Sequence, residues 1–366
     1  MKRILLGCFI GLLVITLTGC WDYRPLDEDF MITGLGIDHS LGDESKLEVT
    51  VFGVAYTEQD HTLSGQGSSI SEAISEIQDK TEKFLSFSHI QILLISKSVA
   101  KKGISSIIDV MLRDSQVRNF INVALVDGRV SDFLQKGKEY PVTGSTFEAL
   151  LKSADLGFPN QLLHLETLAM NLYSGASGFI LPILKIDKVS RIISLKGFGV
   201  FKRDRFLEEI DRKQMIGFLL LMQRLEYANL TIGTINLDNP DQRVYSVKIK
   251  AASTHVRVVI DKDQPTFIYD LGFSGALLEK NPVPLGGISA DEIKRIESEL
   301  TEELKKSMLN VLRKIQKDQI EPFGLGEYAR VYWPKGYKEA QWEEQFSKAK
   351  IETNIQVNLV FYGQTL

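Results

Sequence analysis

The chain has 366 residues, 44% hydrophobic and 25% charged, and its 43 basic against 47 acidic residues give a formal net charge of −4. That length suggests two domains, or three small ones, each large enough for its own core. The mildly acidic balance excludes a general nucleic-acid binder, which needs a basic face, and two cysteines are too few for a disulfide framework.

The first element is a leader. Met1-Lys2-Arg3 is basic, Ile4 to Leu17 is apolar, and Leu17-Thr18-Gly19-Cys20 closes the segment. A basic start, an apolar run and small residues before a cut describe a secretory signal peptide. Here the small residues end on a cysteine, the order of a bacterial lipobox. Residues 1–19 are therefore expected to be removed, and Cys20 to carry a diacylglyceryl thioether as the new first residue. A permanent span needs about 20 apolar residues, and Ile4 to Thr18 is shorter and holds Gly7 and Gly11. Two acyl chains meet the two-signal condition for stable attachment, each buried methylene contributing about 0.8 kcal/mol.

Removing 19 of the 366 residues leaves 347, and the loss of Lys2 and Arg3 takes the charge from −4 to −6. Trp21 to Asp29 holds Arg24 against Asp22, Asp27, Glu28 and Asp29, so attachment rests on acyl chains and not on anionic headgroups. Cys8 leaves with the leader and lipid consumes the Cys20 thiol. The folded body then has no disulfide, no thiolate nucleophile and no cysteine metal site. The most apolar later stretch, Met215 to Met222, is far too short to span a bilayer.

Residues 21–30 read as a tether. Phe30 to Asp38 reads as a strand, and Lys46 to Tyr56 as a second, with Leu47, Val49, Val51 and Gly53 on one side. The turn chemistry of His39 to Ser45 joins them as a hairpin. Thr57 to Ser69 is Gly/Ser-rich and is expected to be a mobile loop. Ser71 to Phe84 reads as a helix, Ile90 to Ile95 as a strand buried on both faces, Lys101 to Arg113 as a helix and Phe120 to Val126 as a strand. A helix between apolar strands implies a crossover and parallel pairing. Residues 145–173 carry helical patches broken at Gly157-Phe158-Pro159, and a boundary is expected between Gly175-Ala176-Ser177-Gly178 and Lys188.

In the second half, Arg191 to Phe201 reads as a strand and Asp211 to Arg224 as an apolar core helix. Val244 to Ile260 reads as one bent strand or a tight pair, and Thr266 to Leu278 as another strand. Ser289 to Ile320 is a long amphipathic helix with Ser289 and Glu292 as a capping box. Its stripe is Ile293, Ile296, Leu300, Leu304, Met308, Leu312 and Ile315. Ile355 to Phe361 alternates as a last strand. The order suggests an α+β (mixed α/β) chain with antiparallel or mixed sheets covered by helices. The expected units are residues 20–187 and 188–366.

Catalytic patterns do not emerge. His39, His61, His89, His164 and His255 are scattered without metal-binding spacing. There is no nucleophile elbow and no P-loop. Gly34-Leu35-Gly36 and Gly197-Phe198-Gly199 suit strand bulges or close backbone approach. The pairs Glu208-Glu209 and Glu302-Glu303 are expected on solvated faces. No metal, cofactor or catalytic residue is assigned.

Several segments resemble the Ger(x)C family, the lipoprotein C subunits of nutrient germinant receptors in endospore-forming bacteria. They are Gly19-Cys20-Trp21-Asp22 with Arg24 and Leu26, then Gly36-Ile37-Asp38, and Phe87-Ser88-His89 before the run Ile90 to Ser96. Leu112-Arg113-Asp114 with Arg118, Gly178 to Ile183, and Lys196 to Lys202 with Asp204 follow in order. The resemblance marks Trp21, Asp22, His89, Arg113, Asp114 and Arg118 as family-motif positions, structural or partner-contacting. The family commonly places an acid between the Arg-Asp pair and the next Arg. Here Ser115-Gln116-Val117 intervenes, so a salt-bridge network around Arg113, Asp114 and Arg118 is expected to be weaker.

The resemblance implies a body of up to three domains with no catalysis. It also implies a complex with two integral membrane partners, the A and B subunits, in the spore inner membrane, the body lying on the outer face of the bacterial cell membrane. A lipid-tethered solute-binding protein feeding a transporter is the alternative, though the strand-rich second half does not suggest its two similar lobes. An envelope hydrolase lacks its nucleophile or metal pattern.

Overall fold

The computed structural model describes residues 25–55, 61–136, 147, 149, 163–173, 178–187, 192–233, 244–262, 264–281 and 288–360. The expected leader, the lipobox Leu17, Thr18, Gly19 and Cys20, and Trp21 and Asp22 lie outside these residues. So do Gly157-Phe158-Pro159, Gly175-Ala176-Ser177, Lys188 and Phe361.

Alternating apolar residues build the first hairpin, β1 (Asp29–Ser40) with β2 (Asp43–Ala55), antiparallel as expected. The segment expected as a loop instead contains a third strand, β3 (His61–Gly67), antiparallel to β2. Its glycines have a packing cause. A Cβ on Gly65 would lie 2.3 Å from the Ala73 carbonyl oxygen, and one on Gly67 2.7 Å from the Ala73 nitrogen. The backbone of α1 (Ile70–Gln78) lies directly on the strand, and only glycine leaves room. Ser69 caps that helix by accepting from the Glu72 N–H at 3.1 Å. The helix ends at Gln78, before the expected Phe84, because Phe84–Ser86 is a short strand, β4, parallel to β1.

β5 (Ile92–Ser96) is buried at every position and pairs parallel with β1. The helix expected from Lys101 to Arg113 is two helices, α2 (Lys97–Lys102) and α3 (Ser105–Arg113). They break at Gly103, whose φ of 125° suits glycine alone. β6 (Asn122–Val126), α4 (Val130–Lys136), α5 (Leu165–Tyr173) and β7 (Gly178–Ile186) follow. β6 pairs parallel with β5 and, through Leu125↔Ile183 and Val126↔Leu184, with β7. That second pairing starts just after Pro182, which has no N–H to donate. β8 (Ile193–Lys202) and β9 (Arg205–Asp211) extend the sheet antiparallel.

The nine strands run β3-β2-β1-β5-β6-β7-β8-β9, with β4 beside β1. The expected division after residue 187 falls in the β7–β8 connection, between hydrogen-bonded neighbours of this one sheet. One face packs Ile32, Leu35, Leu93, Val123 and Leu125 against α1, α3 and α5; the other packs Ile92, Leu94 and Ala124 against α4.

The second sheet runs β10 (Tyr227–Ile232), β11 (Val244–Asp261), β12 (Gln264–Asn281) and β13 (Lys350–Leu359). β11 is one strand bent at two irregularities, near Ser246 and Ala251, which settles the two expected options. An antiparallel sheet is only part of the outcome: β12 and β13 pair parallel. The long crossover through α7 (Ala290–Lys317), α8 (Leu325–Tyr332) and α9 (Trp342–Lys348) makes that possible. The stripe on α7 is buried from Ile296 to Ile315, with Val311 added and Ile293 only half-buried. It packs with α6 (Arg212–Leu221) into a core that also takes Phe198, Val200 and Ile210 from the first sheet. The two sheets therefore share one core through α6 and α7.

Candidate functional site

Gly36-Ile37-Asp38 lies in the C-terminal half of β1, facing the start of α4. Helix α4 needs acceptors for its first N–H groups, and Arg129, just before it, has none in its side chain. Asp38 supplies them from across the sheet. Its Oδ1 accepts from the Val130 N–H at 2.9 Å and its Oδ2 from the Ser131 N–H at 3.0 Å. Asp38 is only 1% exposed, and the helix N-terminus favours its negative charge. A Cβ on Gly36 would sit 2.5 Å from Val130 Cγ1, so the glycine gives α4 its seat. Arg129 turns outward, donating to the His39 carbonyl at 2.9 Å and to Glu48 at 2.9 Å. Both ring nitrogens of His39 are buried without a partner among the described residues.

His89, Arg113, Asp114 and Arg118 come to one end of the first sheet, where β5 and β6 begin. His89, Arg113 and Arg118 are exposed and Asp114 is half-buried. Gln116 joins the 114–121 segment to the turn at Phe87–His89 by accepting from the Phe87 N–H at 3.0 Å. The Arg113–Asp114–Arg118 network does not form. Arg113 pairs with Asp109 one helical turn earlier, at 2.8 Å, and Asp114 accepts from the Gln116 N–H at 2.9 Å in a local turn. Proximity along the helix wins over the sequence neighbour. The Arg113 hydrogen bond and charge hold Asp109 below the usual carboxylate range. Phe120, 69% exposed, stands at the same end with its ring edge-on to His164 at 5.9 Å.

A charged cluster went unforeseen. Lys97 at the start of α2 and Lys196 on β8 both bridge Asp127, after β6, and Glu209, on β9. Lys196 lies 2.9 Å from Asp127 and 3.0 Å from Glu209. Burial works against the charged forms of Asp127 and Lys196. Their hydrogen bonds outweigh it, so Asp127 titrates lower and Lys196 higher than usual. Glu208 goes the other way: burial raises its carboxyl, and Lys314 at 2.9 Å only partly offsets that. The expected solvated face for Glu208-Glu209 is thus corrected, because successive strand residues point to opposite faces and each meets a lysine. Glu302-Glu303 is exposed as expected. The alternation of β9 was the signal available in the sequence.

A second network closes the start of α7. Ser289 accepts from the Glu292 N–H at 3.2 Å, which is half of the expected capping box. The Glu292 carboxylate is taken up elsewhere, by Lys280 at 2.8 Å and by the Tyr245 hydroxyl at 2.7 Å. Arg295 donates to the same hydroxyl at 2.8 Å.

Among the described residues no group of three or more His, Cys, Asp or Glu is placed to hold a metal ion, and no helix is long and apolar enough to cross a membrane. Lys97, Lys196, Asp127 and Glu209 are paired with one another, whereas Glu208 Oε1 is buried without a hydrogen-bond partner among the described residues. What the exposed end of the first sheet offers is contact chemistry: a phenyl ring, an imidazole and two guanidinium groups.

Two family models match the chain in order, a spore germination protein N-terminal domain over residues 22–186 and a spore germination B3/GerAC-like C-terminal domain over residues 196–363. The chain is 22% identical to spore germination protein B3 of Bacillus subtilis (strain 168), covering 96% of each. It is 20% identical to spore germination protein GerQC of Bacillus cereus over the whole of both. The crystal structure of the GerBC protein superposes with a TM-score of 0.58 at 15% identity, covering 89% of this chain and 97% of that one. That likeness establishes a shared mixed α/β fold.

Proposed function

Because this chain belongs to the GerAC-like family of spore germination proteins, we propose that it is a non-enzymatic, lipid-anchored subunit of a membrane nutrient germinant receptor. It works beside two integral membrane partners, the A and B subunits, on the outer face of the cell membrane that becomes the spore inner membrane. The observation that carries this reading is the ordered match of both family models downstream of Leu17-Thr18-Gly19-Cys20. Diacylglyceryl on Cys20 supplies the attachment, and two acyl chains suffice for it. The body contributes surface and assembly, a role supported by charge clusters that hold elements together.

The test is genetic and chemical together. In spores whose sibling receptors are deleted, Cys20→Ala and a full deletion should each respond poorly to nutrient. Mass spectrometry of the native protein should find a lipid-modified Cys20 as its first residue. An unmodified leader on the mature protein, or a normal response of the deletion to every nutrient tried, would sink the proposal.

A further inference from the structure

Strand register locates the beginning of the body relative to its other surfaces. β5 joins β1 at Gly34↔Ile92, and β6 joins β5 at Ile92↔Asn122. Asp29 therefore projects five residues below the level where β5 and β6 start, about 16 Å at strand spacing. β4 lies along that overhang, with Phe84 opposite Asp29. The 114–121 segment returns to the same end. It is held there by the Phe87–Gln116 bond and by the Asn122 N–H donating to the Gln91 carbonyl at 2.9 Å. Phe84, His89, Arg118 and Phe120 thus share the end at which the chain enters the sheet. Phe84 is 43% and Phe120 69% exposed. Single exposed apolar residues are ordinary; two aromatic rings at the entry end have a positional meaning.

The second constraint is covalent. Five residue steps separate Cys20 from Pro25, and an extended chain covers at most about 18 Å in that distance. With lipid on Cys20, the reading on which this inference rests, the entry end cannot lie far from the bilayer. We propose that this end of the first sheet is seated on the membrane surface. Phe120 and Phe84 enter the headgroup region, and Arg118 lays its stem along them with its guanidinium at the phosphates. Asp27 and Glu28 flank the entry and offset the charge of Arg118, so the seat is held chiefly by apolar contact and salt weakens it little. The tip of the β1–β2 hairpin, with Leu41 74% exposed, stands at the opposite end of β1, about 36 Å away.

The experiment uses the lipidated mature protein. Cys8 leaves with the leader and Cys20 is acylated, so a cysteine introduced by Phe120→Cys, Arg118→Cys or Leu41→Cys is the free thiol. Each variant carries an environment-sensitive fluorophore and is reconstituted into phosphatidylethanolamine/phosphatidylglycerol vesicles. The variants should float with the vesicles. Labels at 118 and 120 should shift to the blue and lose quenching by aqueous iodide, at low and at high salt alike. The label at 41 should do neither. Floating protein whose label at 120 is quenched as fully as that at 41 overturns the seating and leaves the anchor standing. Shielding at 120 that arises only after the integral partners are added overturns it in favour of a protein contact. Protein that does not float removes the anchor and this inference with it.

Discussion

Replacing Asp38 by alanine tests the bond that joins the Gly36-Ile37-Asp38 segment to α4. Two charge-assisted hydrogen bonds, at 2.9 and 3.0 Å, would vanish. The Val130 N–H lies in a buried site, and an unsatisfied buried donor costs about 1–3 kcal/mol. The Ser131 N–H is only partly buried, and loss of its cap costs roughly 0.5–1 kcal/mol, at the low end of measured caps. The expected destabilisation is therefore about 1.5–4 kcal/mol. Asp38→Asn keeps one acceptor and should cost about half as much. Urea unfolding followed by circular dichroism gives the free-energy difference, and hydrogen exchange of the peptide covering residues 129–136 reports α4 directly. Exchange there should quicken in Asp38→Ala before the rest of the sheet is affected. A variant within about 0.5 kcal/mol of the parent, with unchanged exchange in α4, would refute the reasoning.

Two further outcomes follow from the charge networks. Lys280→Met should destabilise by about 3–5 kcal/mol, because Glu292 is left charged in a site where the pair is only 6% and 10% exposed. Lys280→Met with Glu292→Leu should recover most of that, and a double variant as unstable as the single one would contradict the account. Asp127 is held below its ordinary value of 3.8, so its contribution is complete above that value and is lost as pH falls through its folded one. Unfolding midpoints taken from about pH 7 to about pH 3 should fall more steeply for the parent than for Asp127→Asn. Parallel curves would remove the cluster from the acid limb.

Much of the fold was legible because its cause is local. The stripe of α7 from Ile296 to Ile315, the apolar run that forms β5 and the hairpin of β1 and β2 are patterns written along one segment, and these emerged. The one-sided alternation read for Lys46 to Tyr56 did not hold, because Val49 to Gly53 are all buried, Thr50 and Phe52 included. The site was legible only as a set of marked residues. Asp38 was marked by resemblance, but that it caps a helix 92 residues later in the chain is invisible until β1 and α4 are packed together. The resemblance implied only a weakened network around Arg113, Asp114 and Arg118, and helical geometry gave Arg113 to Asp109.

Where composition misled, a distant neighbour was responsible. The Gly/Ser-rich stretch looked like a loop because its glycines had no visible use, and their use is the backbone of α1 pressed against β3. Glu208 and Glu209 looked solvated until three lysines arrived from α2, β8 and α7. By itself the chain determined its mixed strand-and-helix character and most of its element positions, since these depend on residue type and spacing within a few turns. Strand direction in the second sheet, the sharing of one core by both sheets and the partner of every buried charge were decided only in three dimensions. Such choices balance contacts between segments far apart in the chain, and no local pattern carries that balance.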